Sequence, residues 1–342
     1  MDEKLNRQLM TQDNTLQFRG FAMIMVVLSH YAEWWGWFMP LEGNGAFLQS
    51  VLTRLGVYGV DLFFLFSGYA LVKSWSGNGE RVTWQFVVKR IKGIYLPYLI
   101  VAGSIHLCSG GFEDVADVFK FLIGYDFWFM TVIFAFNIAF LVIYRVFGRF
   151  KAVRVISFCA FTAIFSRMLY IKEMQDFWYI SNITFAIGII VGEYEAGISK
   201  AIKKCREPLL IILILAMGLA AWSGMWPSEA MQAATEGTRT GYKILATVIW
   251  SLLIMLLMMQ CSRQNKVLAF LGSCSLYIYL SHTFIFMYII NHWEFSYITN
   301  FVLAAIVTVF VSWGLSQLIA WLLERLDTLF MKSKGGANGK GV

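Results

Sequence analysis

The sequence predicts an all-α integral membrane protein, a bundle of about ten transmembrane helices with its N- and C-termini both on the cytoplasmic side. Composition predicts the class. Charged residues make up 14% and apolar residues 58% of the 342 positions, whereas a soluble domain carries roughly 25% charged residues. Apolar blocks near 16–38, 55–72, 94–107, 127–147, 155–170, 177–192, 208–223, 244–260, 267–290 and 298–323 set the number, because a span needs about 20 such residues. Positive charge sets the orientation, since cytoplasmic loops collect Lys and Arg. With the N-terminus inside, all but six of the 28 basic residues fall on inner segments. The exceptions are Arg54, Lys120, Arg167, Lys172, Arg239 and Lys243. A predicted outer loop holds the acidic cluster Glu113, Asp114 and Asp117.

The apolar blocks leave no room for a separate soluble domain. Residues 1–330 therefore read as one membrane domain, and 331–342, rich in Gly and Lys, as a disordered cytoplasmic tail. The first fifteen residues are polar, so no cleavable signal peptide is expected. The net charge of +7 follows from cations placed by topology against anionic headgroups. No basic stripe on a soluble domain suggests nucleic acid. The five cysteines lie in predicted helices or at their inner ends without a CxxC, which points to packing rather than to a disulfide framework or a metal site.

The first block, FRGFAMIMVVLSHYAEWWGWF, carries the strongest chemical signal, because polar side chains inside a bilayer are costly. Arg19 and His30 are eleven residues apart, which is only about 20° from whole turns, so they share one helix face. Their separation along the axis is about 16 Å, with Arg19 at the cytoplasmic edge. A histidine titrates near neutrality and suits a general base or a transient acyl acceptor. An arginine suits phosphate, and Glu33, three residues past His30, can orient the ring. The same residues also fit a positive-inside anchor and an interhelical hydrogen bond.

The second block, GVYGVDLFFLFSGYALV, puts Asp61 about four residues inside the outer end, at a depth comparable to His30. There it needs His30 or Arg54 as partner. Ser67, Gly68 and Tyr69 let either a thin ligand or another backbone come close. Next, VTWQFVVKRIK (82–92) sets apolar residues ahead of Lys89, Arg90 and Lys92, as in a short helix lying in the inner interface.

Later blocks are quieter. Asn137, Asn182 and Arg167 line a cavity or pair between helices, and Trp128 reads as an interface anchor. Ser275, Tyr277, Tyr279 and Ser281 make one side of the ninth block polar, and His282 there reads as structural. His106 and His292 sit at helix ends without a chemical role. No Walker loop, GxSxG, HExxH or strand-following GxGxxG occurs. No internal repeat points to a repeat-built transporter.

These residues resemble the membrane acyltransferase-3 family, which includes polysaccharide O-acetyltransferases. The likeness covers most of the chain and is strongest over 16–98. It rests on Arg19 and His30 with ten residues between them, on Gly59 through Tyr69 as a GV-x-LFF-x-x-SG[FY] helix, and on Phe86, Lys89, Arg90, Ile94, Tyr95 and Pro97 in the inner loop. Ser275 to His282 adds a Ser-x-Tyr-x-Tyr-Leu-x-His-like stretch. Where the family has a second loop arginine, this chain has Gly93, with Lys92 beside it.

The resemblance implies an O-acyltransferase of the bacterial inner membrane. Acetyl-CoA, or another acyl-CoA, is the donor substrate, no cofactor is held permanently, and the acceptor is a lipid-linked or exported glycan. It implies donor binding by Arg19, Lys89, Arg90, Lys92, Ser67, Gly68 and Tyr69. It implies catalysis by His30, aided by Glu33 or Asp61. A proton-coupled permease and a noncatalytic subunit of a glycan-export complex would use the same polar residues without acyl transfer.

Overall fold

In hydrocarbon, every backbone N–H and C=O must be satisfied within the protein, which favours helices. The computed structural model, which describes residues 9–39, 42–76, 83–225, 235–259, 261 and 263–337, contains helices and no strand among those residues. The helices are α1 (Gln12–Phe38), α2 (Asn44–Ser76), α3 (Thr83–Arg90), α4 (Leu96–Cys108), α5 (Val115–Ile123), α6 (Trp128–Val146), α7 (Lys151–Ile171), α8 (Asn182–Met225), α9 (Glu236–Met258), α10 (Lys266–Ser273), α11 (Ser275–His292) and α12 (Tyr297–Ala337). Most of each apolar block falls on these helices, with 267–290 divided between α10 and α11. Six segments are long and apolar enough to cross a membrane: Asn44–Trp75, Trp84–Cys108, α6, α7, α9 and Tyr297–Leu326. They become seven if α10 and α11, which bend at Cys274, form one span together.

The chain divides into two compact units, Met1–Phe86 with Phe119–Ser273, and Val87–Val118 with Cys274–Val342. In the first, glycines set the helix crossings. A Cβ on Gly20 would collide with the Leu268 carbonyl, and one on Gly272 with the Leu16 carbonyl, so α1 and α10 touch backbone to backbone. The same reciprocal contact joins α2 and α8, where Gly68 faces the Phe185 carbonyl and Gly188 the Leu65 carbonyl. Small residues permit this approach, the main route to tight packing where lipid tails are as apolar as the side chains. Leu62, Leu65, Val191, Leu253 and Leu256 close the core around these crossings.

α8 is long but not straight. Tyr194 (φ −113°, ψ 22°) and Cys205 (φ −122°, ψ 21°) leave helical geometry, so α8 is two helical arms joined through a kinked stretch, with most of block 177–192 on the first arm and 208–223 on the second. In the second unit, α11 packs on both α4 and α12, with the Ser281 and Ser312 hydroxyls 3.1 Å apart.

Two expectations are corrected. The basic stretch is no separate interfacial helix. α3 runs through a π-turn, Ile91–Tyr95, into α4, and Trp84–Cys108 forms one continuous segment. Pro97 explains the wide turn, since its ring would clash with the carbonyl four residues back in a regular α-helix. Val82, the first residue of that stretch, lies outside the described residues. The expected tail from 331 is helical to Ala337, as an established helix adds residues cheaply at its end. Residues 338–342 lie outside the described residues.

Candidate active site

α1 starts at Thr11, whose hydroxyl accepts a hydrogen bond from the Asn14 amide at 3.2 Å. The helix then runs to Phe38 without a proline, so the face shared by Arg19 and His30 is preserved. Its first turns are pinned from two sides. Asn14 Nδ2 donates to the Met258 carbonyl at 3.0 Å, and Gln17 Oε1 accepts from the Asn265 amide at 2.8 Å. Arg19, His30 and Glu33 are all half-buried. Tyr31 and Ala32, about 100° and 200° around the helix from His30, have no exposed surface, and neither has Ala22.

α2 runs antiparallel to α1, and four contacts give the register. A Cβ on Gly59 would meet Ala22, and one on Gly56 would meet Ser29. Ser29 Oγ donates to the Thr53 carbonyl, and Gln49 Nε2 donates to the Ala32 carbonyl at 2.9 Å. Arg54 is therefore level with His30. Asp61 is level with residues 20–24 of α1, about 9–15 Å nearer the Arg19 end. The expectation that Asp61 shares the depth of His30 is corrected, and the reason is local. α2 begins at Asn44, not near residue 55, so Asp61 lies about 25 Å along the helix.

Asp61 instead belongs to the α2–α8 contact. Thr184 Oγ1 donates to its carbonyl at 3.1 Å, and the Ser181 side chain lies beside the carboxyl group. The group is fully buried, and neither carboxyl oxygen has a hydrogen-bond partner of good geometry among the described residues.

The Ser67–Gly68–Tyr69 triplet divides. Gly68 lies against α8. The Tyr69 hydroxyl donates to Glu195 at 2.7 Å, with the Met10 carbonyl at 3.3 Å. Ser67 stays half-buried. In the second unit, Lys89 is exposed, Arg90 and Lys92 are half-buried, and Gly93 is exposed with open space where a side chain would start.

Sequence reasoning missed Glu193 and Glu195, which flank the α8 break at Tyr194. Both are 8% exposed. Glu195 accepts from the Leu9 amide at 2.6 Å and from Tyr69, and pairs with Lys73. Glu193 accepts from Arg154 and the Tyr144 hydroxyl, each at 2.8 Å, and Lys151 lies 3.8 Å away. One kink thus ties α8 to α2 and the residues before α1 on one side, and to α6 and α7 on the other.

The other polar residues make local contacts. Asn182 Nδ2 donates to Ser166 Oγ at 3.0 Å, and Asn137 Nδ2 caps the Ile133 carbonyl. Arg167 lies over the Tyr170 ring. His282 is buried, with Nδ1 2.9 and 2.8 Å from the Ile278 and Tyr279 carbonyls. Trp128 packs on Phe177, with ring centres 5.1 Å apart.

The site comes down to a stripe on α1, with a cation toward one end and a titratable ring beside a carboxylate toward the other. Such a stripe can hold an extended anionic thioester and move a proton at its far end. No curated protein and no solved structure matches the chain. A family model described as an acyltransferase domain, Acyl_transf_3, matches residues 17–317, a range that takes in Arg19, His30 and the later helices alike. With most of its length matched and several helices apolar enough to cross a bilayer, this multi-pass membrane protein belongs to the acyltransferase-3 family.

Proposed function

We propose that the protein is an O-acyltransferase of the bacterial inner membrane, with ten transmembrane helices and both ends in the cytoplasm. It moves an acyl group, in the simplest case acetyl, from cytoplasmic acyl-CoA to a hydroxyl of a lipid-linked or exported glycan. The observation that carries this reading is the unbroken α1, which keeps Arg19 and His30 on one face in a chain of the acyltransferase-3 family.

Counting α10 with α11 as one span gives seven, and the number rises to ten when α1 and the two arms of α8 cross as well. α1 falls short on hydropathy because it carries the stripe, and α8 because its kinks shorten its straight runs. The donor's phosphates are read by cations, for which Lys89, Arg90 and Lys92 stand ready, with Lys92 serving where the family has a second arginine. The pantetheine arm follows the α1 stripe from Arg19, and the offset of about 16 Å suits an extended arm.

His30, oriented by Glu33, takes the proton of the acceptor hydroxyl as its oxygen attacks the thioester carbonyl. The C–S bond breaks, and the proton passes to the departing thiolate. In the covalent variant, the ring nitrogen attacks first and the C–S bond breaks to free CoA thiolate; the hydroxyl oxygen then attacks the acyl group, the C–N bond to His30 breaks, and the hydroxyl proton neutralises the thiolate. Asp61, turned toward α8, packs helices and takes no part in this step.

The test is CoA release and acyl transfer by protein in liposomes, wild type against His30→Ala. Release that needs His30 supports the enzyme. Wild-type protein that neither binds nor cleaves any acyl-CoA, yet moves a solute, would be a permease.

A further inference from the structure

α1 does not end at His30. Above it come Glu33, Trp34, Trp37 and Phe38. Trp37 is seven residues past His30 and about 20° short of two whole turns, and Trp34 is about 40° past one turn. Both rings stand over the His30 face, and Glu33 is about 60° to the other side. The rings form a cluster. Trp34 and Trp37 have centres 4.7 Å apart, and Trp34 and Phe38 are nearly parallel at 6.5 Å. Trp37 is 64% exposed and Phe38 46%, whereas Tyr31 and Trp35, about 100° and 140° around the helix from His30, are buried and pack on each other. Gln49 closes that buried side, occupying the space next to Gly36.

A tryptophan that only anchors a helix in headgroups needs no particular face. Here the open rings continue the stripe through Arg19, His30 and Glu33, and rise about 6–10 Å above the ring of His30. We propose that Trp34, Trp37 and Phe38, with Glu33 at their edge, form the acceptor subsite, and that its ligand is a pyranose ring. The C–H face of a pyranose is apolar and weakly positive, and complements the negative face of an indole. Its equatorial hydroxyls point outward, where Glu33 can accept from one while the next reaches His30. The subsite stands at the C-terminal end of α1, outside in the proposed topology, and it rests on the acyltransferase reading.

The test uses full-length protein in nanodiscs, with methyl β-glucopyranoside, methyl β-galactopyranoside, methyl α-rhamnopyranoside and methyl N-acetyl-β-glucosaminide as probes. Saturation-transfer NMR should show ring protons of at least one probe touching the wild type. Trp34→Ala/Trp37→Ala should abolish the signal, and His30→Ala should keep it. In turnover with that sugar, Trp37→Ala should raise acceptor KM about tenfold with donor KM within twofold, and Trp37→Phe should recover part of the loss. Trp313→Ala, an exposed ring on α12, serves as the lipid-facing control and should change neither.

The subsite is overturned if no probe contacts the wild type, if the double variant keeps the signal, or if Trp37→Ala leaves acceptor KM unchanged. Sugar contacts that need Trp37 in a protein that never releases CoA would leave the subsite standing and remove the acyl transfer.

Discussion

Replacing Glu195 by alanine tests whether the kink in α8 holds the fold together. Its carboxylate takes the Leu9 amide at 2.6 Å and the Tyr69 hydroxyl at 2.7 Å. The Leu9 amide becomes a buried donor without that acceptor in the variant, at about 1–3 kcal/mol, whereas the Tyr69 hydroxyl keeps the Met10 carbonyl at 3.3 Å and loses about 0.5–1.5 kcal/mol. Lys73 adds little, about 0–1 kcal/mol, because 36% of its side chain is exposed and it can turn to water. The expected loss is therefore about 1.5–5.5 kcal/mol. Glu195→Gln keeps an oxygen for the two donors and should lose only about 1–2 kcal/mol. Tyr69→Phe leaves Glu195 with its other two partners and should lose about 1 kcal/mol. Since Tyr69 and Glu195 share one bond, the double variant should fall short of the sum by about 0.5–3 kcal/mol. Reversible unfolding in mixed micelles gives all four numbers. Glu195→Ala within 1 kcal/mol of wild type, or additivity within about 0.5 kcal/mol, would refute the reasoning.

Two further substitutions examine the backbone contacts and the basic stretch. Gly272→Val adds a branched side chain where even a Cβ meets the Leu16 carbonyl, so α1 and α10 must separate. The cost should be at least about 1–3 kcal/mol in the same unfolding assay. Gly93→Arg puts an arginine into open space at the position where the family has its second loop arginine. Donor KM should fall several-fold, with stability within about 0.5 kcal/mol of wild type, as steady-state CoA release and unfolding would show.

Much of the helical plan was legible because the bilayer writes it directly, in blocks of apolar residues. The Arg19–His30 face was legible because it needs only helical periodicity within one helix. Depth was not. The first eleven residues of α2, NGAFLQSVLTR, are mixed in polarity, and hydropathy placed the helix start too late and Asp61 too high. Nor was the Glu193–Glu195 hub. Its partners lie between 39 and 186 residues away, and both carboxylates fall just past the end of the 177–192 block, where they read as loop. Two acids beside an apolar block, with unassigned basic residues at other inner helix ends, were the available signal.

The spans that meet the hydropathy criterion and the span proposed to do the chemistry differ for one physical reason. α7 meets the criterion and turns Ile156, Ile164, Met168 and Ile171 outward, each more than half exposed. That face needs apolar residues because it meets lipid. α1 falls short, yet α2, α9 and α10 pack around it, with three residues wholly enclosed. A helix screened by protein is released from the need to be apolar all round, and an arginine, a histidine and a glutamate can occupy its remaining face at tolerable cost. The glycines at 20, 56, 59 and 272 provide that screen by letting α2 and α10 approach closely. Helix packing and chemistry are therefore a single design on α1: backbone contact on some faces leaves one face free to be polar. A change such as Gly272→Val should reach the reaction through the position of Arg19, three residues from Leu16, whose carbonyl it would displace, before it unfolds the chain.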